Sequence, residues 1–537
     1  MLKRSLLAAT VSALCAQSYA TPYMPMDARG LAMGNTGVAS ARLAHAPAYN
    51  PSLLSQARKG DNFALLFPQL GVNLADEAGL EDEATKLDED IIPRIDAAFE
   101  DRGASEPVNF NKAVENMTAA AEQLGAQIES MDDVDGRTNS QKAADLRADN
   151  ATFGDSISTA NTELQEVNSA TDDMIDSLKS ISGNPLRARL GLGGAVALPG
   201  KQLAAAVSFR ADVNASGRIL FSGNDANLLS AYGTAASGYL DTSNGITDSV
   251  DELADKVDAG SATAADLSDT KAAVDEVNTY TSDPVQTAAG NISIFENGEI
   301  SNDASEPVFD SQYEIVAIGI AEVGLSLSRE FQVSGKTFAV GVTPKLQQVA
   351  TYHYVGQVNE EDNAEEVELE DSELTENHIN MDIGTSFYID AAHKMRVGVV
   401  IQDLISKDFE YAAVAVDGDA DGQIAEGGKV SIKPKLRAGI AYEGGWYNVA
   451  ADLDLTENEA LAFEDPTQYL SVGGEMDAFG WAQVRAGLRT NLAADSNVVS
   501  LGAGVSPFGI HFDLAAMMDI SKPEKELGIA LETGFYF

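Results

Sequence analysis

Three groups of side chains carry enough charge at close spacing to do chemistry. The first is Asp417-Gly418-Asp419-Ala420-Asp421-Gly422-Gln423-Ile424, which follows the first eight positions of an EF-hand calcium loop. Asp417, Asp419, Asp421 and Gln423 would supply the oxygens. Position twelve is Gly428 instead of a bidentate glutamate, and Glu426 comes two residues early. Calcium is thus the one candidate cofactor, and the alternative is a solvated acidic hairpin loop. The second group is Lys433, Lys435 and Arg437, placed at alternate positions as on one face of a strand. The third is Arg485 and Arg489, in phase on another strand-like segment. These cations could hold a carboxylate or phosphate head, or could pair with Glu322, Asp382, Asp452, Glu475 and Asp513. No nucleophile motif accompanies any of the five histidines, so no catalytic residue and no enzymatic activity are expected.

The elements that must position these groups are strands. The last eleven residues alternate strictly: Leu527, Ile529, Leu531, Thr533, Phe535 and Phe537 on one face, Gly528, Ala530, Glu532, Gly534 and Tyr536 on the other. A period of two with an apolar outer row suits a strand between lipid and a polar lumen. Fourteen such segments are expected between residues 62 and 537, among them 62–75, 313–329, 429–442 and 526–537. They are joined by short turns on one side and long connections on the other. The expected fold class is all-β: a 14-stranded antiparallel transmembrane β-barrel over residues 62–537. Residues 315–322 are apolar on both faces and change phase before Glu322, which predicts a bulge or kink there.

Two connections, 77–185 and 215–310, have helical spacing instead. Val114, Met117, Ala121, Leu124 and Ile128 recur at three-four intervals, as do Ile246, Val250, Leu253 and Val257. Each insertion is expected as a pair of antiparallel helices outside the barrel, either a self-stabilised cap or a groove for a greasy ligand or partner.

Lys3 and Arg4, the apolar stretch Leu6–Ala16 and Ser18-Tyr19-Ala20 read as a signal peptide over residues 1–20, directing export to the bacterial outer membrane. The single cysteine, Cys15, lies within it, so thiol and disulfide chemistry is not expected of the processed chain. A formal charge of −48 repels phosphates and excludes nucleic acid as an expected partner.

Residues 21–61 have little strand character. Their glycine-rich opening, Asp27 to Ala39, followed by Asn50-Pro51-Ser52, resembles the N-terminal hatch of FadL-type long-chain fatty acid transporters. A closer resemblance is to the outer-membrane branch named conjugal transfer protein TraF, through Ile320-Ala321-Glu322-Val323-Gly324-Leu325-Ser326-Leu327 and Ala339-Val340-Gly341-Val342-Thr343-Pro344-Lys345. The resemblance implies a barrel plugged by a hatch over residues 21–61, with Gly30, Gly34, Gly37, Asn50 and Pro51 setting its turns. It implies passive uptake of hydrophobic small molecules, with bilayer lipid as the surroundings and a wall opening at the kink. The TraF branch implies an alternative: a surface component of conjugal plasmid transfer or cell contact, with transfer-apparatus or surface proteins as partners.

Overall fold

The computed structural model describes residues 24–537, together with Ser18 and Tyr19, apart from residues 59–60, 77, 101, 104–105, 133–135, 288–289, 306–307, 334–335, 359–368, 418–421 and 460–461. The expected signal peptide apart from Ser18 and Tyr19, most of the acidic run at 360–376, Asp419 and Asp421 lie outside the described residues.

Fourteen strands close into one barrel. They are β1 (Ala64–Asp76), β2 (Pro185–Leu198), β3 (Ala204–Leu220), β4 (Gln312–Val333), β5 (Lys336–Gln357), β6 (Leu374–Tyr388) and β7 (Met395–Gln402), followed by β8 (Lys435–Glu443), β9 (Tyr447–Asp454), β10 (Tyr469–Ala478), β11 (Ala482–Asn491), β12 (Ser496–Val505), β13 (Ile510–Asp519) and β14 (Leu527–Tyr536). Each pairs antiparallel with its chain neighbours, and β14 returns to β1 through Leu65↔Phe535 to Leu74↔Leu527. Closure leaves no sheet edge, which hydrocarbon would not tolerate.

Burial alternates along the wall. In β14, Leu527, Ile529, Leu531 and Phe535 are exposed outward, while Gly528, Ala530 and Glu532 are buried inward. At the short-turn end, Trp446, Phe479, Trp481 and Phe537 stand exposed as an aromatic rim of the kind found at a lipid–water boundary.

The expected kink at 315–322 is absent. β4 keeps one register with β3 and with β5 through that stretch. Its apolar inner positions have another cause. Lys407–Tyr411 and Gly428–Ile432 form a hairpin that leans into the barrel mouth, and its Phe409, Val430 and Ile432 pack on Val316, Ile318, Ile320 and Val349. The inner face is dry there, so both faces are apolar without any change of phase. The wall is irregular instead in β1. The register slips between Leu66 and Gln69 against both neighbours, where Pro68 cannot donate a ladder hydrogen bond.

The class all-β is too narrow, because long helices stand between the strands. In the first insertion α1 (Phe110–Glu129) is followed by α2 (Asn139–Ile181); in the second, α3 (Gly223–Asp258) is followed by α4 (Ala264–Asp275). Asn109, Thr138, Ser222 and Thr263 cap their N-termini, and Thr138–Gln141 closes a capping box. The insertions do not fold as two separate pairs. Met117, Leu124, Phe153, Ile157, Leu240, Val250 and Leu253 share one apolar core, so both insertions make a single cap.

Candidate functional site

The barrel interior is occupied by residues 24–58. A short helix, Ala28–Ala32, opens this segment, with Asp27 capping it through Gly30 N–H at 2.6 Å. Turns through Gly34 and Gly37 lead to Ala46–Tyr49 and a 3-10 turn, Pro51–Gln56. Nearly every residue is buried, so the segment is the core of the barrel's lower half.

The wall fastens it through side chains. Asp452 of β9 accepts from Gly37 N–H at 2.7 Å and Val38 N–H at 3.0 Å. Arg396 of β7 donates to the Ala39 carbonyl at 2.8 Å. Glu475 of β10 is the main charge anchor, taking Arg29 at 3.0 Å, Arg42 at 2.8 Å and Arg485 of β11 at 2.8 Å. Burial works against the Arg42 charge, but Glu475 outweighs it and raises the guanidinium pKa. On the opposite side of the segment, Ser52 and Ser55 bond Ser386 and Ser328, both at 2.8 Å.

A second cluster joins His45 to β14. Its Nε2 lies 3.1 Å from Glu532 and 3.6 Å from Asp27, while Tyr536 Oη meets Nδ1 at 3.2 Å and Tyr49 donates to Asp27 at 2.6 Å. Burial opposes the imidazolium most strongly, yet Glu532 and Asp27 together prevail and raise the His45 pKa. Burial raises the pKa of Asp27, and its His45 partner only partly offsets this.

A family model described as "F plasmid transfer operon, TraF, protein" matches residues 47–454. The chain belongs to this TraF family. No curated protein matches it. Among solved structures it is similar to the toluene transporter TbuX of Ralstonia pickettii, at 9% identity over 96% of this chain and 99% of that one, with a TM-score of 0.41. It is also similar to the CymD monoaromatic hydrocarbon channel, at 11% identity, 96% and 99% coverage and a TM-score of 0.41. The Pseudomonas putida toluene transporter TodX aligns at 9% identity over 97% and 99%, with a TM-score of 0.36.

In this TraF-family chain the cations singled out from sequence face acids. Lys435 meets Asp403 at 3.0 Å, Arg437 pairs with Asp454, Arg485 bridges Glu475 and Asp513, and Arg489 meets Glu526 at 2.6 Å. Arg437 and Arg489 also donate to Asn35. Lys433 does not share their strand: Pro434 ends the mouth hairpin, and β8 starts only at Lys435. The expected continuous strand 429–442 is therefore two elements in different sheets. Asp417 accepts from Tyr354 Oη at 2.6 Å, and Gln423 accepts from Gln312 at 3.0 Å.

The glycines and Asn50-Pro51 of the N-terminal segment all sit at close approaches. A Cβ on Gly30 or Gly37 would fall on the Tyr49 side chain, and Gly34 has φ +66° against the Leu488 carbonyl. Asn50 donates to Val38 and Thr385 carbonyls and accepts from Ser52.

Sequence reasoning missed the matching glycines of the wall. A Cβ on Gly341 would lie 2.4 Å from Ser52 N, on Gly398 2.5 Å from the Val38 carbonyl, on Gly473 2.2 Å from the Met33 carbonyl, and on Gly487 2.2 Å from Gly34 N. An isolated inward glycine on a polar lumen face, where Asp, Arg or Ser would suit water better, was the available signal.

Beside the segment, Met24, Arg189, Arg210, Asp212, Gln347 and Lys435 enclose a polar cavity of about 20 Å³. That is room for roughly one water molecule.

Proposed function

We propose that this chain is an outer-membrane channel, held shut by its own N-terminal segment, that lets small hydrophobic solutes enter passively. The observation that carries the reading is the filled lumen: residues 24–58 occupy the space through which a general porin would conduct water and ions. A channel for polar solutes gains nothing from a dry upper mouth, yet Phe409, Val430 and Ile432 make one against β4 and β5. An apolar solute can pass such a constriction, where ions cannot shed their water cheaply. The segment is fixed by side-chain bonds and shares no strand ladder with the wall, so it can shift without opening the barrel. Once the pairs part, Lys435, Arg437, Arg485 and Arg489 would be the contacts available to a carboxylate head.

The test is uptake of N-phenyl-1-naphthylamine by intact Gram-negative cells, with and without the chain in the outer membrane. The expected result is a several-fold faster fluorescence rise with the chain. Equal rates at verified surface expression would overturn the proposal.

Membership of the TraF family favours one second reading, a surface component of plasmid transfer. A drop in transfer frequency on deletion, with dye uptake unchanged, would put that reading first. The acidic stretch from Asp417 to Gln423 is offered as an accessory calcium site on its sequence pattern; calorimetric titration of the full chain should register binding that D417N loses, and no heat would remove the suggestion.

A further inference from the structure

The lumen-facing cations of the wall are mostly held by acids. Arg210 lies 2.6 Å from Asp212, Lys435 3.0 Å from Asp403, and Lys345 2.8 Å from the same Asp403. Arg189 of β2 differs. It is 5% exposed, it makes no ion pair among the described residues, and its Nε and Nη1 are buried without an acceptor. A guanidinium keeps its charge, so burying one with no counter-charge in contact is costly.

Arg189 borders the polar cavity of about 20 Å³ beside Met24. Its register partner on β3, Asn214, brings an amide to the same space. The acceptors around it are already engaged: Asp212 by Arg210, Asp403 by the two lysines, and the Gln347 side-chain oxygen by Asn380 at 3.2 Å. The surplus on this wall is therefore in donors. The residues before Met24, Ala20-Thr21-Pro22-Tyr23, contain no carboxylate to meet it. A water would accept from Arg189 and leave its charge unopposed; an anion would answer both needs.

Size and charge narrow the occupant. The cavity has room for about one water molecule, and a bare halide is close to water in size. A carboxylate on an alkyl tail exceeds that room, which separates this site from any headgroup contact along a solute path. Asp212 and Asp403 in the cavity wall repel a doubly charged ion such as sulfate.

We propose that Arg189, with Asn214, holds one small monovalent inorganic anion, chloride or another halide, between the barrel wall and the N-terminal segment. Met24 and Pro25 of the segment close one side of the cavity, so the ion touches both and is held only while the segment is seated. By mass action, a halide at ten times its dissociation constant lowers the released fraction about elevenfold. Binding itself rests on the cavity and Arg189; its effect on release rests also on the movable segment of the channel reading given above.

The test uses the full chain crystallised in sodium bromide, as wild type and as R189Q. The expected result is an anomalous bromide peak beside Arg189 that R189Q lacks. No peak in the wild type would overturn the site, and a peak that R189Q keeps would mark an adventitious ion only and overturn it too. Should R189Q not fold, the wild-type peak alone decides, by its presence or absence within hydrogen-bond reach of Arg189 Nε or Nη1. Release is read separately in lipid nanodiscs, by maleimide labelling of S40C, C15S protein in sodium chloride against sodium gluconate of equal ionic strength, since gluconate is too large for the cavity. Labelling should slow several-fold in chloride, with saturation, and R189Q should remove the difference. A bromide peak with labelling indifferent to chloride would uphold the site and overturn its coupling to a movable segment.

Discussion

Replacing Glu475 with alanine should loosen the N-terminal segment while leaving the barrel closed. Glu475 is 2% exposed and holds four arginines, three of which, Arg29, Arg42 and, at 3.9 Å, the more exposed Arg58, belong to the segment. Arg485 keeps Asp513 after the substitution, but Arg29 has no second acid among its described ion pairs. The charges of Arg29 and Arg42, unlike that of the more exposed Arg58, can regain water only if the segment leaves. Removing one partner of a buried pair costs about 3–5 kcal/mol, which shifts the seated-to-released equilibrium roughly a hundred- to several-thousand-fold. Ser40, 3% exposed, offers the reporter. In an S40C, C15S background, maleimide labelling at fixed pH reads the released fraction whenever reseating is fast. Labelling should accelerate by that factor in E475A and by less in E475Q, which keeps an acceptor oxygen but not the charge. A cysteine on the exposed face of α2 should label equally in all three. If E475A labels within threefold of the parent, the charge anchor contributes little and the proposed latch is wrong.

Three further outcomes follow from the same contacts. His45 and Asp27 both have raised pKa values, so the seated state binds more protons; their stabilisation is full below the unfolded values and is lost as pH rises through the folded ones. His45 is enclosed by Asp27 and Tyr49 of its own segment and by Glu532 and Tyr536 of β14, with Arg29 nearby opposing its charge. Proteolytic nicking of the segment should therefore be faster at pH 9 than at pH 6, and H45Q should shrink that difference. G487A should unseat the turn at Gly34, since the added carbon falls 2.2 Å from its nitrogen; overpacking of this kind costs about 1–3 kcal/mol and should appear as a new steady conductance in planar bilayers. F409A should free the mouth hairpin, at a local cost of about 3–5 kcal/mol, and make residues 407–432 protease-sensitive without lowering the melting temperature of the barrel.

The wall was the most legible part of this chain. Alternation such as Leu527–Tyr536 repeats in fourteen places, because each strand faces two solvents with opposite demands and the short turns fix where it ends. The helical insertions were legible for the same reason at the other period, although their merging into one cap was not, since nothing in a single amphipathic face says which partner covers it. The mouth hairpin was misread at both ends. Val316, Ile318 and Ile320 looked like a fault in the strand because the element that dries their inner face lies some ninety residues downstream. Lys433 looked like a wall residue because the alternation runs on in phase past Pro434, where the hairpin in fact ends and the wall strand begins. Of the candidate site, the inward cations were found but their partners could not be assigned, since cross-barrel register depends on shear. The wall glycines escaped because their meaning lies in what approaches them.

The most direct measurement of the central claim is single-channel conductance in planar lipid bilayers for the intact chain and for one lacking residues 24–50. The intact chain should be nearly silent, and the shortened chain should open a steady pore of the size fourteen strands enclose. Equal conductance in the two, with both shown to be folded and inserted, would contradict a lumen closed by the N-terminal segment.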